Sequence, residues 1–123
     1  MNDPNYLEPN VRAVYDYGFR WMSWLTGGKV VPVYTSTYRT IAEQTTLYNN
    51  RATNPYPVEK PGDSPHNRFP SPAADTAVPD VAVAIVNGDK WNSWELWTAV
   101  REALGLRVPK TDRVHGERPG WKN

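Results

Sequence analysis

Six of the twelve prolines in this 123-residue chain fall between Pro55 and Pro72. Proline fixes φ and removes a backbone donor, so residues 52–72 are excluded from a helix interior or a central strand. Asn, Ser and Gly supply much of the remainder of this stretch. Such a composition suits a linker, but an irregular segment this long inside a small domain is usually a functional loop. It also contains His66, one of only two histidines; the other is His115. Regular structure is therefore confined to the two flanks of the loop.

On the N-terminal flank, Val11, Val14, Tyr15, Gly18, Trp21, Met22 and Leu25 recur at helical spacing. They predict a helix over 10–26, capped by Asn10 and stopped by Gly27-Gly28. Lys29 to Tyr34 reads as a strand, with Pro32 placing it at an edge or in an irregular position. Thr40-Ile41-Ala42-Glu43 is a capping-box pattern that opens a second helix to about Asn50, with a short buried stripe. On the C-terminal flank, the apolar run 73–86 is broken at Pro79-Asp80, giving a bulged strand or two short ones. Asn87-Gly88-Asp89 marks a turn. Trp91 to Leu104 predicts the clearest helix, with Trp91, Trp94, Trp97 or Leu96, Val100, Ala103 and Leu104 on one face and Gly105 as its stop. Leu106 to Val108 and Arg113 to Glu117 are candidate final strands. This order points to an α+β fold rather than to layered βαβ units.

The length fits one domain, residues 1–123, able to bury its own core. That core must draw on six Trp and seven Tyr against two Phe. The absence of cysteine excludes disulfides, thiolate metal sites and cysteine nucleophiles. A net charge of +1, with acids and bases interspersed, lacks the electrostatic footprint of a nucleic-acid binder. No run is long enough for a membrane span, and Met1-Asn2-Asp3-Pro4-Asn5 lacks the basic and apolar regions of a signal peptide.

The chemistry concentrates around the histidines. His66 has Asp75 nine residues on, and His115 has Asp112 three residues before it. Two imidazoles and one carboxylate, His66, His115 and Asp75, make a three-ligand set that leaves a fourth position on zinc open for water. Asp75 opens an apolar strand-like run, where a carboxylate needs a partner, and a metal is a good one. Two surface or hydrogen-bonded histidines are the plainer reading. Asp63 is a rival ligand. A carboxylate near His115 could act as base: Glu117 shares its face on an extended strand, whereas Asp112 converges with it only if the segment bends.

The segment Val33-Tyr34-Thr35-Ser36-Thr37-Tyr38-Arg39-Thr40, followed by Glu43-Gln44 and Leu47-Tyr48, resembles the "TSGYRS…EQ…LY" region of the M15 zinc peptidases, which are D,D-carboxypeptidases and L-alanyl-D-glutamate endopeptidases. Ser64-Pro65-His66 with Ala73-Ala74-Asp75 is similar to that family's "S-x-H-x-x-G-x-A-x-D" motif, and Asp112-Arg113-Val114-His115 to its closing "[DE]-x-x-H". The matches run in family order from about residue 30 onward. Eight residues, Asn67 to Ala74, separate His66 from Asp75, more than in the family motif, and none is glycine.

The resemblance implies a small antiparallel sheet flanked by helices, of the hedgehog and D,D-peptidase type. It implies zinc held by His66, Asp75 and His115, with Asp112 as the base. Arg39 would hold the substrate carbonyl or carboxylate and stabilise the oxyanion, against a plainer salt bridge to Glu43. Ser64 would position the substrate or the His66 loop. The partner would be a peptidoglycan peptide cut by a monomeric enzyme, with neither nucleic acid nor membrane insertion involved. A compact domain without a leader suits a phage endolysin, held in the host cytoplasm and then released to the wall; a bacterial wall-remodelling enzyme is the other origin. A non-catalytic wall-binding or virion module on the same fold is the rival reading. A serine-hydrolase reading of Ser64 lacks the glycines of a nucleophile elbow. Trp91, Trp94 and Trp97 read as core, whereas Trp121 and Tyr56 are candidates for a substrate wall.

Overall fold

The computed structural model describes residues 2–122. Its elements are α1 (Pro9–Leu25), β1 (Val33–Ser36), α2 (Ile41–Asn49), β2 (Ala73–Ala77), β3 (Ala82–Ala84), β4 (Lys90–Asn92), α3 (Ser93–Ala103) and β5 (His115–Glu117), with single 3-10 turns at Pro4–Tyr6, Arg51–Thr53 and Pro65–Asn67. Three helices combine with two small antiparallel sheets, one ordered β1-β2-β5 and the other the β3-β4 hairpin. The fold is α+β, as the order of sequence patterns suggests. Among the described residues no helix is long and apolar enough to cross a membrane.

The helix stripes build the core. Val11, Tyr15, Gly18 and Met22 are the buried residues of α1, and Trp94, Leu96, Trp97 and Val100 are buried on α3. The two helices meet at Gly18, where a Cβ would lie 3.2 Å from the Trp97 ring. Trp97 is fully buried, a burial whose loss typically costs about 3–5 kcal/mol on truncation to Ala. Its indole N–H donates to Thr76 Oγ1 at 2.8 Å, fastening α3 to β2. The Tyr15 hydroxyl lies within bonding distance of the Ala74 and Gly116 carbonyls, at 3.2 and 3.0 Å, and so fastens α1 to β2 and β5. Burial, the largest influence on that phenol, pushes its pKa up and keeps it a donor.

Several boundaries differ from the sequence reading. Helix α1 starts at Pro9, a favoured first position, rather than being capped by Asn10. Lys29–Pro32 is not strand; pairing begins at Val33, after the proline that cannot donate. Trp91 belongs to β4, because Asn92 accepts from Trp94 N–H at 2.9 Å and so caps α3 one step later. Arg101, not Ala103, completes the buried face of α3. Leu106–Val108 forms only an isolated bridge, Arg107 to Glu117. The capping box of α2 is complete, Thr40 and Glu43 each accepting from the other's N–H at 3.1 and 3.0 Å. The run 73–86 splits into β2 and β3, which lie in different sheets.

The proline-rich segment is irregular, as expected, and is tied down at its C-terminal end. Ser71 N–H donates to Tyr6 O at 2.7 Å and Glu8 N–H donates back to Ser71 O at 2.8 Å. The Phe69 ring packs edge-on against Tyr6 and Tyr38. The connection from His66 to Asp75 is thus held against the N-terminal segment, with residues 68–70 exposed and 71–74 buried.

Candidate metal centre

Each ligand candidate is placed by a different local device. Asp75 lies in β2 directly opposite His115 of β5 and, through a register shift at Thr35, beside Ser36 of β1. Residues paired directly across a ladder bring their side chains together on one face. Ser64 caps the Pro65–Asn67 turn by accepting from His66 N–H at 3.2 Å. That turn is strapped to the β1–α2 connection: Arg39 N–H donates to His66 O at 2.7 Å, and the Asn67 amide donates to Arg39 O at 2.8 Å.

His66 Nε2, His115 Nδ1 and Asp75 Oδ1 form a nearly equilateral triangle with sides of 3.1, 3.2 and 3.2 Å. Ligand atoms about 2.0–2.1 Å from a tetrahedral ion lie about 3.3–3.4 Å apart, so the donor set has the right dimensions. The opposite ring nitrogens determine what the triangle contains. His66 Nδ1 lies 2.7 Å from the Thr37 carbonyl, and His115 Nε2 lies 2.8 Å from Glu117 Oε1. Both partners only accept, so those nitrogens carry hydrogen. With both rings neutral, the remaining nitrogens offer lone pairs toward each other and toward a carboxylate oxygen. A proton placed on His115 Nδ1 serves one neighbour and leaves the other contact unsatisfied, whereas a divalent cation serves all three. The buried His66-Asp75-His115 group can hold a metal ion.

Without a bound cation, protons balance the charge of the triangle. Burial alone would push the Asp75 carboxyl up, but hydrogen bonds with His115 and His66 hold it well below the usual carboxylate range. Burial likewise lowers His115, yet its contacts with Asp75 and Glu117 outweigh this and raise it to about 9, so without a cation Nδ1 carries a proton shared with Asp75, which a bound metal ion would displace. The other Asp75 oxygen lies 3.5 Å from the Arg39 guanidinium, which also donates to Gln44 Oε1 at 2.7 Å and Ser36 Oγ at 3.1 Å. Arg39 therefore faces the site itself. Its pKa is lowered by burial and sustained mainly by Asp75.

Asp112 and Glu117 occupy different positions around His115. The His115 N–H donates to Asp112 O at 3.0 Å, so the chain turns before β5. This is the bend that convergence of Asp112 with His115 requires. Asp112 lines the same cleft, and its Oδ1 is buried without a hydrogen-bond partner among the described residues. Burial first, then the Asp75 charge, push its carboxyl up. Glu117 shares the His115 face, as a two-residue step requires, but both of its oxygens are engaged: Oε1 by His115 and Oε2 by the Trp121 indole N–H at 2.7 Å. Despite burial, the His115 contact holds its carboxyl low. Glu117 thus holds the His115 ring from behind.

The cleft over the triangle has a volume of about 330 Å³ and is lined by Arg39, Ser64, Tyr56, Asp112 and Glu117 as well as His66, Asp75 and His115. Tyr56, one of two aromatic candidates for a substrate wall, lines this cleft. Trp121 does not: it is buried beside Glu117, with Arg68 donating to its carbonyl at 2.6 Å. Asp63 is exposed and outside the donor group.

Sequence reasoning missed four supports. Thr37 acts through its backbone carbonyl, which leaves no trace in side-chain identity. Gln44 is buried and joins Arg39 to the Glu59 carbonyl at 2.8 Å; its place in the quoted Glu43-Gln44 pair was the available signal. Trp121 was read as wall. Arg101, a charge within an apolar helical stripe, donates to the Arg113 carbonyl at 2.7 Å and the His115 carbonyl at 3.4 Å, holding the strand that carries His115. Burial lowers its pKa to about 10. No protein-family model matches this chain, and no curated protein matches it.

Proposed function

We propose that this chain is a zinc-dependent peptidoglycan peptidase, hydrolysing a peptide bond of the murein stem or cross-bridge as phage endolysins do, on a fold of the hedgehog and D,D-peptidase type. The convergence of three lone pairs, with both imidazole tautomers set from behind, carries the metal part of this reading. Two nitrogens and one oxygen, with a cleft on the open side, match a catalytic zinc site rather than a closed structural one. The substrate class rests on the M15-like segments around Arg39, His66, Asp75 and His115.

Zinc held there supplies a Lewis acid for the scissile carbonyl and lowers the pKa of water. His66, Asp75 and His115 bind the ion, while the Thr37 carbonyl and Glu117 keep the two rings in the binding tautomer. Asp112, with an unpartnered oxygen and a carboxyl pushed up by burial, takes the proton from the attacking water and passes it to the leaving amine. Arg39, anchored by Gln44, Ser36 and Asp75, stabilises the oxyanion as it develops. Ser64 holds the His66 turn.

The test is metal analysis of the purified protein together with loss of turbidity of a peptidoglycan suspension, with and without chelator. Stoichiometric zinc and chelator-sensitive lysis are expected. Absence of both would overturn the reading. Zinc with peptidoglycan binding but no bond cleavage would identify a non-catalytic wall-binding relative instead.

A further inference from the structure

We infer that Arg107 is a specificity-determining residue of the cleft, which binds a free carboxylate on the substrate peptide; the inference deepens the peptidase reading and rests on it. Two cations line this cleft, Arg39 and Arg107. Arg39 is anchored by three side-chain partners, and its side chain is 14% exposed. Arg107 is the opposite case. Its side chain is 61% exposed, and its one ion pair, to Glu117 Oε2, is long at 3.5 Å. That oxygen already accepts from Trp121 at 2.7 Å. Among the described residues the Arg107 guanidinium makes no side-chain hydrogen bond, so most of its five N–H donors face water.

An exposed pair of this kind contributes little to stability, about 0–1 kcal/mol. The backbone of Arg107, in contrast, is held firmly. Its N–H donates to Glu117 O at 2.9 Å and its carbonyl accepts from Glu117 N–H at 3.0 Å, two residues from His115. The side chain therefore springs from a rigid point beside the metal centre while its head stays free. A planar fork with open donors, fixed at its base, is suited to a carboxylate, which it engages through two parallel charge-assisted bonds. Tyr56, Pro57 and Val58 line the same cleft and offer neutral surface for the rest of a peptide. A carboxylate-bearing peptide would thus lie along this cleft with its carboxylate on Arg107 and its scissile bond over the triangle.

Binding of a synthetic murein stem peptide, in free-acid form and with each carboxylate amidated in turn, is measured by equilibrium titration on wild type and Arg107→Gln, with hydrolysis followed in parallel. One amidation should weaken wild-type binding by about three- to tenfold, the range of a bidentate pair that stays partly solvated. Arg107→Gln should bring the free-acid peptide to the level of that amide, and Arg107→Lys should restore part of the difference. Both variants change an exposed side chain, and zinc content reports that the site is intact. Discrimination unchanged in Arg107→Gln, or absent in wild type, overturns the inference. Discriminating binding without hydrolysis sustains the carboxylate site and refutes the peptidase; hydrolysis without discrimination does the reverse. Failure of wild type to bind either form refutes both.

Discussion

Replacing Glu117 with Gln tests the tautomer logic of the metal centre with almost no change in shape. In the native site both neighbours of the carboxylate are donors: His115 Nε2–H at 2.8 Å and Trp121 Nε1–H at 2.7 Å. Glutamine offers one accepting atom and one donating group. If its oxygen faces His115, its amide meets the Trp121 N–H donor to donor. If it turns, His115 must shift its proton to Nδ1, which removes a lone pair from the ligand triangle. Either way a charge-assisted bond behind a ligand is lost in a buried setting. Loss of such an outer partner typically costs about 10–100-fold in metal affinity, equivalent to about 1.4–2.7 kcal/mol. The Arg107 contact adds little, being long and mostly solvated. Zinc affinity of wild type and Glu117→Gln, by competition with a chromophoric chelator, measures the effect, and circular dichroism checks the fold. An affinity equal to wild type would refute the tautomer reasoning. If affinity survived while lysis vanished, Glu117 rather than Asp112 would be the base.

Asp112→Ala should keep zinc but lower lysis by about 10²–10⁴-fold, whereas His66→Ala should lose both, as read by metal content and turbidity. An active Asp112→Ala would remove it from the mechanism. Gly116→Ala places a Cβ against the Tyr15 hydroxyl and should destabilise by about 1–3 kcal/mol in denaturant melts; an unchanged midpoint would contradict that close packing. Thr40→Ala removes the cap of α2, whose one buried residue is Gln44, and should cost about 1 kcal/mol of stability in a thermal melt. Its zinc affinity should match wild type, since the cap touches no ligand.

Local signals located most elements because their causes are local. The capping box at Thr40 and Glu43, the turn at Gly88, and the stripes of α1 and α3 depend on residues within a turn or two of each other. Boundaries failed where the deciding contact was a single bond: Asn92 caps α3 and leaves Trp91 on a strand. The site was legible in the same uneven way. His66, Asp75 and His115 were readable as a donor set because so few histidines limit the choices, whereas Asp112 came from the motif resemblance, its spacing on a strand pointing away from His115. The roles of Glu117 and Trp121 were not, since each depends on which atoms the other engages.

Sequence alone determined the available chemistry: two imidazoles, their neighbouring carboxylates, no thiol, and a proline-rich segment that had to stay irregular. Only the tertiary structure decided whether these groups meet. Pairing of Asp75 with His115 is a matter of register between strands forty residues apart. The long connection from His66 closes because Tyr6, Glu8 and Ser71 hold it. Convergence of three lone pairs is a property of distances between remote segments, set by backbone hydrogen bonds that side-chain identity does not encode.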